Sequence, residues 1–326
     1  AMAVSANASK TYDRRTMREE LQAGVTSITP TDTPFQSMIG TRDVHNTYLE
    51  WSVVELAAVD AANRVLEGEA SPANDAPTNA VRLGNYCQLS DKVAEVTDTA
   101  NAVTTASDTG DMKKQVFFKM RELKRDIETM LLNPTAAVAG GAAVVPVMAG
   151  LPSFIRTNVS RGAGGVNSTL SGATSGYPNT APTDGTLRAL TETILAGVIA
   201  ACWDAGAEPT TILCGSGVKQ KISQTFTGSS TRQSNLTVSN GKVEAAVSVY
   251  VSDFGELKIM PTRFIRSRDV FVLDPKKIRM AWLQSISQKD LATTGHASRK
   301  LIKGQYSLQV DAEKAQGLIA DINPAL

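Results

Sequence analysis

The stretch DMKKQVFFKMRELKRDIETMLL, residues Asp111–Leu132, decides how the rest of the chain is read. Met112, Val116, Met120, Leu123, Ile127 and Met130 recur at steps of three or four, which is one face of an α-helix. Asp108 or Asp111 caps its start, and Asn133–Pro134 stops it. At a rise of 1.5 Å per residue the helix is about 33 Å long. Its other face carries Lys113, Lys114, Lys119, Arg121, Lys124 and Arg125 against Asp111, Glu122, Asp126 and Glu128. Lys124–Glu128 and Glu122–Arg125 are spaced for surface ion pairs. That face reads either as solvated or as a mildly basic surface turned toward a polyanion.

Upstream lies SITPTDTPFQSMIG, Ser27–Gly40. Pro30 and Pro34 each remove a backbone donor and push the preceding residue toward extended conformations, so neither helix nor sheet strand is expected here. Ile28, Phe35, Met38 and Ile39 are apolar and favour burial. Residues 1–41 therefore read as a stiff N-terminal arm, with a short helix at Arg14–Leu21 whose Thr16 and Glu19 have capping-box spacing. Such an arm either wraps its own domain or lies on a neighbour. Residues 44–54 alternate as a strand through Leu49, Trp51 and Val53, and 81–96 form a second extended run. The polar GEASPANDAPTN (68–79) joins them, which makes 42–100 a long hairpin. Isolated two-stranded hairpins are marginal in water, so this one leans on something else.

Downstream, residues 133–182 are rich in Gly, Ala, Ser and Thr around an ordered island, AGLPSFIRTNVS. A second helix is expected from Thr183 to about Ala205, with Leu187, Leu190, Ile194, Val198 and Cys202 on one face. TTILCG is a buried-type strand, and SGVKQKISQTF a short helix after it. The polar TGSSTRQSNLTVSNGK reads as a mobile loop. Paired strands follow around Asp253–Gly255 and Asp274–Pro275, with LIKGQYSLQV and GLIADI closing the fold. Helices and strands are mixed without regular alternation or internal repeat, so the class is α+β.

Composition narrows the function. The 326 residues suffice for two domains, and 42% hydrophobic residues support a sizeable core. Lys and Arg total 33 against 32 acidic residues; this balance does not suggest a dedicated nucleic-acid binder but leaves room for a locally basic face. Cys87, Cys202 and Cys214 are widely spaced and read as free thiols in a reducing compartment. No apolar run reaches the roughly 20 residues of a membrane span, and AMAVSANASK lacks the apolar centre of a secretion signal. Synthesis in the cytoplasm, without membrane contact, is expected.

Chemistry is sparse. There are two histidines, His45 and His296, and no GxSxG elbow for a nucleophilic serine. CGSGVKQ (Cys214–Gln220) is the best phosphate-loop lookalike, but Gln220 stands where GxGxxG needs its third glycine. No histidine pair has zinc-ligand spacing. No catalytic, cofactor or metal residues are assigned, and the protein is not expected to be an enzyme.

The motifs MREEL, ITPTDTPFQSMIG, LEW (Leu49–Trp51), EGE (Glu67–Glu69), RLGNY (Arg82–Tyr86), LKRDIETMLL and AGLPSFIRTNVS follow one another in a distinctive order. In that order the chain resembles the major capsid (major head) proteins of tailed bacteriophages that lack a long N-terminal scaffolding segment. The resemblance implies a Hong Kong 97-like capsid fold. It assigns 1–41 to an N-arm, 42–100 to the extended hairpin loop, 101–182 to a peripheral domain with Asp111–Leu132 as its spine helix, 183–286 to an axial domain, and 287–326 to closing strands of the peripheral domain. It implies self-assembly as hexamers and pentamers into an icosahedral virion head. Implied partners are a portal protein, scaffolding and decoration proteins, and packaged double-stranded DNA held nonspecifically. Ile28, Pro30, Pro34, Phe35, Met38 and Ile39 become expected anchors of the arm on a neighbouring subunit. Leu49, Trp51, Val53 and Tyr86 become hairpin contacts, and Lys113, Lys114, Lys119, Arg121, Lys124 and Arg125 candidates for facing DNA. Some members of the family crosslink their shells through a hairpin lysine. Here the hairpin's one lysine is Lys92, near its base, so no crosslink is expected. An encapsulin nanocompartment of the same fold, and a soluble α+β enzyme using CGSGVKQ as a ligand loop, are the rival readings.

Overall fold

The computed structural model describes residues 29–64, 67–68, 77–103, 111–227, 249–293 and 295–324. In chain order the elements begin with α1 (Pro34–Met38), β1 (Gly40–Asp43), β2 (Tyr48–Val53), β3 (Val81–Tyr86) and β4 (Gln88–Thr97). Then come α2 (Asp98–Ala102), α3 (Asp111–Leu132), α4 (Leu151–Phe154) and β5 (Val159–Ser160). The second half holds α5 (Glu192–Asp204), β6 (Thr211–Cys214), α6 (Ser216–Thr227), β7 (Val249–Ser252), β8 (Gly255–Pro261), β9 (Val270–Leu273), β10 (Ile278–Asp290), β11 (Ala297–Val310) and β12 (Gly317–Ile319).

The helix read from periodicity forms over its full expected span as α3. It buries Val116, Leu123, Ile127, Leu131 and Leu132 against a four-stranded sheet of order β1-β10-β11-β4. Met130 is more than a core filler: its sulfur accepts from Gln88 Nε2 at 2.9 Å and from the Tyr306 hydroxyl at 3.1 Å, which joins α3 to β4 and β11. β10 and β11 run 13 and 14 residues, and at 3.3–3.4 Å per residue the ribbon is about 45 Å long.

The second sheet has order β5-β12-β9-β6-β8-β7. Its central strands, TILC in β6, VFVL in β9 and GLI in β12, are buried at every position, which is why they read as continuous apolar runs without alternation. α5 and α6 cover one face, where Leu195, Ile199, Val218 and Ile222 pack on Ile212, Leu257 and Val272. Leu213, Phe271, Leu273 and Leu318 point the other way and merge with the core beneath α3. The sheets do not follow the linear boundaries 101–182, 183–286 and 287–326. The six-stranded sheet takes β5 from the first segment and β12 from the last, paired in parallel.

Three local expectations are corrected. Pro34 does not break a helix; it begins one, because proline at the first position loses a donor that has no intrahelical partner anyway. The helix expected from Thr183 starts only at Glu192. Thr191 caps it by accepting the Ile194 amide at 3.3 Å, while Arg188 is held extended by exchanging 2.8 Å backbone bonds with Asp321 and Asn323. Leu187, placed on its buried face, is exposed. The run 81–96 is not one hairpin limb: it divides at Cys87, with β3 pairing β2 and β4 pairing β11. The expected helix at Arg14–Leu21 lies outside the described residues, as does the expected loop 227–242 beyond its first residue, Thr227, which ends α6.

Candidate assembly surface

The motifs shared along the chain explain how its appendages are rooted. In RLGNY, a Cβ on Gly84 would fall against the Tyr48 ring, so only glycine lets β2 and β3 close there. Asn85 is fully buried: its amide nitrogen donates to the carbonyls of Ala149 (3.2 Å) and Leu308 (2.9 Å), and its oxygen accepts from the Ala149 amide at 2.8 Å. This one side chain ties the hairpin to the AGLPSF island and to β11. In that island a Cβ on Gly150 would strike the Asn133 carbonyl oxygen, which ends α3.

The arm is rooted on α3. Glu128 is buried and its two carboxylate oxygens accept the amides of Phe35 (2.8 Å) and Gln36 (3.0 Å), capping α1 from a residue far along the sequence. Gln36 Nε2 adds a 2.8 Å bond to the Lys124 carbonyl. Burial pushes Glu128 above the ordinary carboxylate range, and the amides of Gln36 and Phe35 pull part of the way back. The surface pair Lys124–Glu128 is thus replaced by a cap, and Glu122 pairs with Lys119 at 2.9 Å instead of Arg125.

These contacts revise the expected anchors. Phe35 and Ile39 are buried in their own chain, and Pro30, Pro34 and Met38 are half-buried, so Phe35 and Ile39 do not present themselves to a neighbour. Ile28 lies outside the described residues. Leu49 and Trp51 are likewise buried at home, with the Trp51 ring 5.7 Å from that of Phe154. Val53 is half-buried, and Tyr86 stacks within a Tyr48–Tyr86–Tyr177 cluster at 4.8 and 5.1 Å. Sequence alternation identified the buried face correctly but not the body it is buried against.

What projects is the limb beyond that root. Every residue from Val54 to Arg64 is exposed, including Leu56 at 86% and Val59 at 97%. The ion pair of Glu55 with Lys314 at 2.6 Å ties the limb to the body. On α3, Lys113, Arg121 and Lys124 are exposed, Lys119 is engaged by Glu122, and Arg125 lies near the Phe264 ring. Lys92 pairs with Asp126 at 2.7 Å on the flank of α3, away from the limb.

A charged cluster stitches the six-stranded sheet's rim. Asp321, buried at the positive φ of 64°, accepts the Gly162 amide at 3.0 Å and pairs with Arg268 at 2.7 Å, and Arg268 also reaches Asp184. Asp269 beside it is pushed up to about 6 by burial, with Arg266 opposing. No histidine or nucleophile joins this cluster, and among the described residues no group of His, Cys, Asp and Glu is arranged to hold a metal. The CGSGVKQ loop is accounted for by packing: a Cβ on Gly217 would sit 2.8 Å from Pro324. Among the described residues no helix is long and apolar enough to cross a membrane.

An arm root, a projecting hairpin limb, a long helix laid on one sheet and a second sheet beyond it define a shell-subunit fold, the Hong Kong 97-like fold. The capsid of cyanophage A-1(L) superposes with a TM-score of 0.67 at 12% identity, covering 94% of this chain and 97% of that one. An encapsulin complex from Synechococcus elongatus PCC 7942 gives 0.58 at 10% identity over 100% and 98%. The chain belongs to the SU10 major capsid protein family, whose profile matches residues 4–323. It is 30% identical over 125 residues to the major capsid protein of Escherichia phage Phieco32, a match spanning 38% of this chain and 35% of that relative's length.

Proposed function

We propose that this chain is the repeating subunit of a tailed-phage head, associating as hexamers and pentamers around a portal to enclose double-stranded DNA. The observation that carries the reading is the bare limb Val54–Arg64. A lone soluble protein gains nothing from holding Leu56 and Val59 in water at the end of a rooted hairpin, and contiguous exposed apolar surface marks an interaction site. A neighbouring copy buries them. Each subunit then gives one limb and receives one, a heterologous contact that closes into rings. Membership of a major capsid family favours DNA over protein cargo as the content. Contact with that DNA is nonspecific and weakens with salt, carried by inner-face lysines and arginines. Assembly with scaffolding and decoration proteins belongs to the same reading, and the work is done by geometry without a catalytic step.

The test is the double variant Leu56→Asp with Val59→Asp. It folds, because neither side chain packs on its own body, and it fails to form shells in negative-stain electron microscopy. Full-size shells from this variant overturn the assignment of the limb. Nuclease-protected DNA inside wild-type particles separates a head from a cargo compartment.

A further inference from the structure

One stripe of α3 is covered at one end and bare along the rest. Phe117, Arg121, Lys124 and Glu128 recur at steps of four, three and four, so they share a helix face. Glu128 lies under α1, the arm's own helix. Phe117 is 50% exposed, Phe118 beside it 38%, and Arg121 stacks its guanidinium 4.1 Å from the Phe117 centroid. An exposed phenylalanine pair braced by an arginine is costly to leave in water.

From these placements we infer that the Phe117–Arg121 stripe is the docking site of this same chain's segment Thr16–Leu21. α1 meets the stripe at its covered end through Phe35 and Gln36, and residues 1–28 lie N-terminal to that contact. Phe117 is about 17 Å along the helix from Glu128. The fourteen steps from Phe35, which sits on Glu128, back to Leu21 span up to about 46 Å, which is sufficient reach. The segment TMREEL fits the surface chemically. Met17 and Leu21, four apart, offer apolar groups to Phe117 and Phe118, and thioether–aromatic contact is favourable. Glu19 and Glu20 bring carboxylates to Arg121 and Lys124. Docking in this way continues along the helix the contact that α1 begins, and it withdraws Arg121 and Lys124 from any polyanion.

The experiment is site-directed crosslinking of the full-length chain with a short bismaleimide. Cys87, Cys202 and Cys214 are buried with thiols pushed up to about 11, so they stay silent and introduced cysteines report alone. The pair Leu21→Cys with Phe117→Cys gives an intrachain product, seen as a faster-migrating monomer on a denaturing gel. Adding Met17→Asp to that pair abolishes the product. The pair Gln36→Cys with Lys124→Cys, at the contact α1 already makes, is the positive control. Dimers or ladders from the Leu21 and Phe117 pair hand the stripe to a neighbouring copy and overturn the inference. Absence of product while the control reacts overturns it too, as does product that survives Met17→Asp, because tethering alone then explains it.

Discussion

Replacing Glu128 by alanine tests whether the arm is fixed by the body of its own chain. The buried carboxylate satisfies two amides at the start of α1, that of Phe35 at 2.8 Å, closed to water, and that of Gln36 at 3.0 Å, partly buried. Leaving a buried donor unpaired costs about 1–3 kcal/mol, so two left in place cost about 2–6 kcal/mol. The chain has one escape, which is to lift α1 off α3 and wet the amides. That route removes Phe35 from the core, and burying such a side chain is worth about 1.5–3 kcal/mol. It also gives up the Gln36 bond to the Lys124 carbonyl, at roughly 0.5–1.5 kcal/mol. The cheaper route limits the penalty to about 2–4.5 kcal/mol. Urea unfolding of the unassembled chain, followed by tryptophan fluorescence, measures it, and amide exchange at Phe35 and Gln36 reports whether α1 has lifted. Lys124→Ala, which keeps the carbonyl Gln36 uses, is the control and stays within about 0.5 kcal/mol of wild type. A loss below about 1 kcal/mol for Glu128→Ala, with residues 35–39 still protected from exchange, refutes the capping argument.

Three further outcomes are expected. Trp51→Ala destabilises the free chain by about 3–5 kcal/mol in the same unfolding assay; an unaffected free chain with lost shells restores Trp51 to the neighbour. Asp269 titrates near 6 in the folded chain against an ordinary value of 3.8, so the folded state binds the extra proton and gains stability below about pH 4 that is lost as pH rises through 6. That interval corresponds to about 3 kcal/mol, and Asp269→Asn flattens it; parallel pH profiles of the two proteins contradict the shift. Mature particles boiled in detergent run as one band at monomer mass, because Lys92 is held by Asp126 on α3; a ladder disproves this.

The parts of this fold that were legible in the sequence are those where local pattern and tertiary environment agree. α3 has a full apolar stripe and a proline stop, and its span was readable to the residue. TTILCG reads as a buried-type strand and forms β6, and the paired strands expected around Asp274–Pro275 form as β9 and β10. What escaped reading was decided by distant partners. Gly40–Asp43 carries no apolar alternation and becomes a strand only because β10 offers it a parallel edge. Glu128 has the spacing of a solvated ion pair with Lys124, and nothing within α3 reveals that two amides arrive from 92 and 93 residues away. The candidate anchors are apolar, which marks burial but does not name the owner of the surface they fill. Leu56 and Val59, the residues left bare, sit in a stretch whose lack of period gave no signal.

The short link between β9 and β10 has a mechanical consequence. Leu273 ends a buried strand of one sheet and Ile278 begins a strand of the other, with a single 3-10 turn at Pro275–Lys277 between them and a common core on both sides. So brief a joint has no slack, and the two halves must tilt together as one stiff tile. A closed surface that holds both fivefold and sixfold vertices then cannot get its changing curvature by bending the tile. The angle between tiles must vary at their seams, and the exposed limb beyond Val53, tied to its own body by the Glu55–Lys314 ion pair, is the part of the tile able to follow it.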